Sequence, residues 1–193
     1  MDKKKKVLDI QSMREKGTNR LEFVSRYVVV DVETTGFNTL GGDIIEIAAL
    51  RVEDGKIVDS FSSLIKPKNQ ITDFISGLTG ITNEMLENAK SSYDVLLDFY
   101  QYVEDDIILG HNVNFDINFI SDIMFRDIGI SFKNDFIDTL RWSRILIKSA
   151  REHKLGYLAN HLNLSNKPTH RAMSDCLATH ELYEYLRRVK CGK

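Results

Sequence analysis

The feature that most constrains this chain is a short apolar run that ends in two acids. The stretch from Tyr27 to Gly36 reads YVVVDVETTG, and its β-branched residues are typical of a buried strand. Side chains two positions apart share a face, so Asp31 and Glu33 are expected to lie side by side. No Lys or Arg lies between Tyr27 and Leu50 to pair with them. The pattern favours a divalent cation held by oxygen ligands, although a strand end whose acids simply reach solvent has the same spacing.

Composition is that of an ordinary globular protein. The 193 residues fit one domain, with 42% hydrophobic and 28% charged residues. The net charge of −2 argues against avid, charge-driven binding to duplex DNA but allows a local basic track. Cys176 and Cys191 have no metal-type or redox spacing and are expected to be reduced thiols. No apolar run is long enough for a membrane helix and MDKKKKVLDI is no secretory signal, so we expect a cytoplasmic protein without membrane attachment.

The order of the predicted elements indicates a mixed α/β sheet. The strand at Tyr27 leads into strands at 43–53 and 56–65, which the tight turn Asp54-Gly55 joins. Short strands at 107–109 and 136–139 then alternate with helices, so antiparallel strands should precede parallel ones. Sites in such sheets form beyond the carboxyl ends of the strands. Helices are expected from 8 to 25, from caps at Thr82 and Ser92, and at about 114–126, 139–149, 154–162 and 172–189, with 71–80 rich in turns.

Three later acids fall at comparable positions. Asp116 is expected in the first turn of a helix, where the helix dipole favours an anion, although taken alone a helix-start acid with no other role is the favoured interpretation. Asp138 ends the last strand and is interpreted mainly as a cap for the next helix. Asp175 lies early in the final helix among small residues suited to close packing, so a buried acid there needs a partner.

One histidine differs from the other four. His170 lies in the turn just before Asp175, where an imidazole with an ordinary pKa of roughly 6.5 can act as a general base toward an activated water. A lone histidine is more often structural. For that reason capping, core or surface roles are expected for His111, His153, His161 and His180.

Taken together, three motifs resemble a known family. DVETTG, HNVNFD and HRAMSD resemble the motifs of the DEDDh 3′→5′ exonucleases, and most nearly those of the proofreading exonucleases of bacterial DNA polymerase III. The resemblance extends from about Tyr27 to Leu186. We therefore expect an N-terminal extension that is partly helical (1–26), a single exonuclease domain (27–189) and a short tail (190–193).

The resemblance implies a fold, a cofactor and a reaction. The implied fold is ribonuclease H-like, with five strands in the order 3-2-1-4-5 and the first three antiparallel. The implied site has two divalent cations, Mg²⁺ or Mn²⁺, held by Asp31, Glu33, Asp116 and Asp175, with His170 as general base; Asp138 has no ligand role. The implied reaction releases nucleoside monophosphates from the 3′ end of single-stranded DNA, with a DNA polymerase as a candidate partner.

The expected substrate contacts surround these acids. Thr79 is one of these expected contacts, and members of the DEDDh family often carry His at this position. Phe115 fits stacking on a base and simple core packing equally well. Two other functions remain open at this stage: an exoribonuclease that trims short RNA or tRNA ends, and a non-catalytic nucleic-acid-binding module. The expected contacts are Thr34, Thr35, Gly36, Leu78, Thr79, Asn112, Phe115 and His170.

Overall fold

The fold is built around a five-stranded mixed sheet. The computed structural model describes residues 15–39 and 41–192. The strands are β1 (Arg26–Thr34), β2 (Ile44–Glu53), β3 (Lys56–Leu64), β4 (Ile108–Gly110) and β5 (Phe136–Asp138). They lie in the order β3-β2-β1-β4-β5, with β1, β2 and β3 antiparallel and β4 and β5 parallel to β1. The predicted strand order and directions are thereby confirmed.

Helices cover both faces of this sheet. They are α1 (Asp73–Thr79), α2 (Asn83–Glu87), α3 (Ser92–Val103), α4 (Asn114–Ile128), α5 (Thr139–Leu146), α6 (Leu155–His161) and α7 (Ala172–Lys190). α3 and α4 bury their apolar residues against one face, and α5, α6 and α7 do so against the other. α1 and α2 pack as a smaller cluster on Ile45 of β2. None of the helices in the described ranges is long and apolar enough to span a membrane.

The central strand β1 is buried on both sides, and the alternation of its side chains decides where the acids go. Val28 and Val30 point into the core beneath α3 and α4. Tyr27 and Val29 point to the opposite core, beneath α7. Because strand side chains repeat every two residues, Asp31 shares the face of Tyr27 and Val29. The acid pair of β1 therefore faces the start of α7.

Most predicted boundaries agree with the structure, and the exceptions are in the helices. The strands predicted at 43–53, 56–65, 107–109 and 136–139 differ from β2 to β5 by one residue or less at each end. The expectation of a turn-rich 71–80 is wrong, since this stretch holds α1. Thr72 Oγ1 caps that helix by accepting from Ile75 N–H, and Ile75 is buried in the cluster on β2. The cap of α3 is Ser91, not Ser92.

The helix predicted from 8 to 25 is wrong for residues 15–25, and residues 8–14 lie outside the described part of the chain. Asn19 instead pairs in parallel with Phe136 at the outer edge of β5. Arg20 N–H donates to Phe136 O (2.8 Å), and Phe136 N–H donates to Thr18 O (3.0 Å). A Cβ on Gly17 would lie 2.1 Å from Asn134 O, so only glycine permits this approach. These sheet contacts with a distant strand replace the local bonds of a helix.

The segment that follows is anchored to the helical face. Phe23 packs on Trp142 of α5 (ring centroids 4.3 Å apart) and on Tyr183 of α7 (5.2 Å). Val24 N–H donates to the Tyr183 hydroxyl (2.9 Å). Residues 17–24 are therefore part of the packed structure, and the domain boundary at Tyr27 stays a prediction.

Candidate active site

Three carboxylates converge where β1 ends and α7 begins. Asp31, Glu33 and Asp175 each place an oxygen so that these atoms lie within 4.8 Å of one another. The acids of β1 face α7 because of strand alternation, and Asp175 lies in the first turn of that helix. Small residues let the helix approach closely: Cys176 Sγ lies 3.5 Å from Ala48 O. An irregularity after Glu33 shifts the register of the β1–β2 pairing, a feature that is common next to active sites.

The fourth predicted ligand, Asp116, stands beside this trio. The group of acids whose oxygens lie within 4.8 Å of one another contains the other three and not Asp116. Its side chain is only 5% exposed, in the first turn of α4, and its Oδ1 accepts the Val32 N–H (3.1 Å). Val32 separates Asp31 from Glu33 in sequence, so this bond ties Asp116 to the backbone between them. The structure thus brings all four predicted acids to one place.

The electrostatics of these acids show a shortage of positive charge. Burial raises the pKa of Asp31 well above its ordinary value, and the charges of Asp116 and Asp175 raise it further. Burial, then Asp175 and Glu46, raise the pKa of Glu33 to about 8. Burial raises the pKa of Asp116 to about 7, against hydrogen bonds from backbone N–H groups. Such a group binds either protons or a cation near neutral pH.

A divalent cation fits this donor set. Hard cations such as Mg²⁺ and Mn²⁺ take carboxylate oxygens, and Mg²⁺ is typically held by a few carboxylates together with substrate phosphates. Asp175 has its own support, since Thr169 N–H donates to its Oδ1 (3.0 Å). Burial raises its pKa as well. Asp31, Glu33 and Asp175 are therefore placed and oriented to hold a cation, with Asp116 adjoining.

One ion pair behind the site escaped the sequence reasoning. Glu46 of β2 lies directly opposite Glu33 in the sheet and is 4% exposed. Arg171 Nη2 donates to Glu46 Oε1 (2.7 Å), and Ala172 N–H donates to Oε2 (3.0 Å). The signal was a single acid inside the apolar run IIEIAAL of β2, which needs a buried partner. Arg171 supplies the positive charge that the sequence near β1 lacks.

His170 occupies the loop residue next to Arg171. Its backbone has φ of 56°, in the left-handed region, and its side chain is exposed. Its charge lowers the pKa of Asp175, after the larger effects of burial and of the Thr169 N–H bond. A backbone hydrogen bond from His170 lowers the pKa of Asp175 as well. The predicted base is therefore close to the acids, and its role as general base stays a prediction.

The loop between β4 and α4 is shaped by a close contact at the end of β4 and by one residue in the left-handed conformation. A Cβ on Gly110 would meet Val113 Cγ2 at 2.4 Å, and Asn112 has φ of 61°. Asp138 Oδ1 holds this loop by accepting Asn112 N–H and Leu140 N–H, both at 2.9 Å. The second bond caps α5, so the capping role expected for Asp138 is confirmed.

The residues expected to contact substrate differ in how they are presented. Thr34 and Thr35 use their hydroxyls within the loop, Thr34 donating to Gly36 O (2.8 Å) and Thr35 accepting Asp43 N–H (3.0 Å). A Cβ on Gly36 would meet nothing within 4 Å, so the fold itself does not require glycine there. Space at that backbone remains available to a ligand.

Aromatic side chains lie beside the same loop. Phe115 is partly buried against Phe119 (centroids 5.0 Å apart), so core packing accounts for one side of its ring. Phe37, which the sequence reasoning missed, is 87% exposed and lies 6.3 Å from Phe115 in an edge-on arrangement. An exposed phenylalanine beside a polar site can stack on a nucleobase.

The expectation for Thr79 does not fit the structure. Its side chain is 3% exposed, its hydroxyl donates to Ile75 O (2.9 Å) and it accepts Ile81 N–H (3.1 Å). These bonds end α1 and leave the side chain no open surface. Leu78, by contrast, is 41% exposed on the same helix. Leu78 therefore stays a candidate contact.

Comparison with known proteins identifies the class. The family model described as Exonuclease (RNase T) matches residues 28–183. The chain belongs to this exonuclease family.

Individual relatives then narrow the comparison. The PolC-type DNA polymerase III of Clostridium perfringens is 39% identical over 163 residues, which are 84% of this chain and 11% of that protein. The enzyme of the same name from Bacillus subtilis is 37% identical over 173 residues, 89% of this chain and 12% of that protein. The chain thus spans about a tenth of the length of these relatives. The predicted relationship to the exonucleases of bacterial DNA polymerase III is confirmed.

Solved structures confirm the ribonuclease H-like fold. Exonuclease X in complex with 5′ overhanging duplex DNA has a TM-score of 0.69 at 25% identity, covering 86% of this chain and 93% of that one. E. coli exonuclease I in complex with a dT13 oligonucleotide has a TM-score of 0.75 at 18% identity, covering 88% and 42%.

Proposed function

We propose that this chain is a metal-dependent 3′→5′ exonuclease that removes nucleoside monophosphates from the end of single-stranded DNA, as a proofreading enzyme does. The observation that carries the proposal is the convergence of Asp31, Glu33 and Asp175 within 4.8 Å, with Asp116 tied to the strand between them. Membership of the exonuclease family supports it, as do relatives that are DNA polymerases. By the same relatives, a DNA polymerase is the proposed working partner.

The four carboxylates are proposed to hold two divalent cations, Mg²⁺ or Mn²⁺. When bound, such ions supply an activated water and neutralise charge on the leaving oxygen. The carboxylates fix where the scissile phosphate sits, because their positions are set by β1, α4 and α7. His170 accepts the proton of the attacking water from its place in the exposed loop before α7. Phe37 and Phe115 stack against the terminal base, and the backbone at Gly36 lies along its sugar.

Digestion of labelled strands tests direction and substrate together. Matched DNA and RNA oligomers, labelled at the 3′ or the 5′ end, are incubated with Mg²⁺, Mn²⁺ or EDTA. We expect immediate release of a labelled mononucleotide from 3′-labelled DNA and a descending ladder from 5′-labelled DNA, both abolished by EDTA. Shortening from the 5′ end, or no hydrolysis with either metal, would contradict the proposal. Faster digestion of RNA would assign the enzyme to RNA trimming.

Single substitutions test the site itself. Asp31→Ala and Asp175→Ala are expected to abolish metal-dependent hydrolysis while keeping the native circular-dichroism spectrum. Asp59→Asn is the matched control, because Asp59 is an exposed acid on the edge strand β3, two strands away from β1. Full activity in either alanine variant would remove that residue from the site.

A further inference from the structure

A basic cleft lies next to the candidate active site. It has a cavity volume of about 650 Å³ and is bounded by the β4–α4 loop, by α5 and by the loop before α6. Asn112, Arg144, Arg151 and Lys154 are among the residues that line it. This volume is typical of sites that hold a whole small ligand rather than a single ion.

The charges in this cleft are mostly positive and uncompensated. Arg144 and Arg151 are exposed, and within residues 15–39 and 41–192 neither forms an ion pair. Lys154 pairs with Glu152, the one acid in the lining (3.4 Å). Burial lowers the pKa of His153 in the wall, and the charge of Arg144 lowers it further. Although the whole chain is slightly acidic, this surface attracts anions.

The cleft and the acid cluster share one structural element. Asp138 Oδ1 accepts N–H bonds from Asn112 and Leu140, which both line the cleft. The charge of Asp138 also contributes to the raised pKa of Asp116, after burial. Asp138 therefore bonds to the wall of the cleft and is close enough to a predicted metal ligand for its charge to act on it.

The wall of the cleft is fixed before any ligand binds. The His111 ring is bonded on one side to Thr139 Oγ1 (2.9 Å) and on the other to His153 O (2.7 Å). These bonds tie the β4–α4 loop to α5 and to the loop that carries Arg151 and Lys154. A preformed surface loses little entropy on binding a flexible strand.

We propose that this cleft binds the phosphodiester backbone of the nucleotides that lie 5′ to the one being removed. The inference rests on the proposed function. A strand whose 3′ end is at the carboxylates must leave the site in some direction, and this cleft, which Asn112 lines, offers Arg144 and Arg151. Guanidinium groups bind phosphate oxygens in a bidentate manner, which suits a backbone read without regard to sequence. The chain therefore grips several nucleotides rather than the terminal one alone.

Two substrates of different length separate this role from catalysis. The p-nitrophenyl ester of thymidine 5′-monophosphate occupies only the carboxylate site, whereas a single-stranded dT oligomer of about ten nucleotides also reaches the cleft. In Arg144→Ala/Arg151→Ala we expect kcat/KM for the ester to stay within twofold of wild type. KM for the oligomer should rise at least tenfold with kcat retained.

Salt dependence gives a second readout. For single strands the slope of log affinity against log salt changes by about 0.7 for each phosphate contact, so the double variant should be shallower by about 1.4. Arg188→Ala/Lys190→Ala is the matched control. It removes the same charge from the far end of α7, about 20 Å along the helix from Asp175.

The outcomes are distinct. Unchanged oligomer KM and salt slope, or an equal loss on ester and oligomer, would overturn the cleft assignment. If wild type hydrolyses neither substrate, the proposed function fails, and anisotropy of a labelled dT oligomer still decides the cleft: lost binding in the double variant supports it and unchanged binding overturns it. Binding of a polyglutamate peptide by the cleft, with dT binding unchanged, would reassign the surface to an acidic protein partner.

Discussion

Glu46 of β2 and Arg171 at the start of α7 form a two-point ion pair, with Nη2 2.7 Å from Oε1 and Nε 3.1 Å from Oε2. The pair joins the strand opposite Glu33 to the helix that carries Asp175. It therefore holds Glu33 and Asp175, two predicted metal ligands from different elements, in a fixed relation. The guanidinium group of Arg171 also places a positive charge near these acids.

Removing the arginine should cost stability, and also removing the charge of its partner should restore part of that loss. Arg171→Ala leaves a carboxylate that is 4% exposed without its partner. Because the arginine side chain is itself 40% exposed, we expect a loss of only about 1–3 kcal/mol, and a melting temperature lower by roughly 2–12 °C. Thermal melts check this. The variant Arg171→Ala/Glu46→Gln should melt above Arg171→Ala, and equal melting of Arg171→Ala and wild type would contradict the pairing.

Binding of Mn²⁺ should remove or invert the loss of stability that the metal-free protein shows as pH rises. In the folded metal-free protein the pKa of Glu33 is about 8 against an ordinary 4.5, and that of Asp116 is about 7 against 3.8. The folded state therefore keeps protons that the unfolded state releases. This stabilisation is complete below about pH 4 and is lost as pH rises through 7 and 8. In EDTA the melting temperature should fall between pH 5.5 and 8.5, and Mn²⁺ should remove or invert that fall, since binding displaces the protons.

The control for this titration is a variant with one charge fewer. Asp31→Asn removes a neighbour that repels the other acids, so its metal-free protein should lose less stability over the same pH range and gain less from Mn²⁺. Identical pH slopes for the variant and wild type in EDTA would show that these acids are not coupled in the way their pKa values indicate.

Two substitutions at His170 separate the proton-transfer role of its side chain from the effect of its backbone conformation on stability. His170→Ala and His170→Asn are both expected to lower kcat by about 10²–10⁴, the usual range for a positioned acid–base group. His170 has φ of 56°, a conformation that asparagine tolerates better than alanine, so only the alanine variant should also lose stability. Rates in Mg²⁺ and thermal melts are the measurements. A loss smaller than tenfold in both variants would assign the proton to another group.

The two cysteines should react very differently. Cys176 is 1% exposed between α7 and the sheet, and burial raises the pKa of its thiol. Cys191 is exposed at the end of α7, and both are free. A thiol reagent such as Ellman's should therefore titrate one group in the native protein and two after denaturation. Rapid labelling of both in the native state would mean that α7 leaves the sheet easily.

Sequence patterns predicted the features that depend on interactions between neighbouring residues. The apolar run before Asp31 gave the central strand, and the two-residue period gave the shared face of Asp31 and Glu33, because both follow from backbone geometry. Asp54-Gly55 similarly gave the turn, with φ of 49° and 75° at those residues. The sheet order came from the family resemblance and not from the pattern.

What failed depends on contacts between distant residues. Residues 17–20 pair with the edge of β5 because Gly17 fits against Asn134, and nothing in the local sequence shows that strand. Arg171 reaches Glu46 across more than a hundred residues of chain. The substrate contact at Thr79 was predicted from the family resemblance, although its hydroxyl ends a helix. In each case tertiary packing decided the outcome.

The packing of α7 on the sheet decides whether the three clustered carboxylates come together. Asp175 joins Asp31 only when the final helix has packed on β1 and β2. Detachment of this helix from the sheet would therefore leave Asp31 and Glu33 in place on β1 but remove the third carboxylate of the cluster.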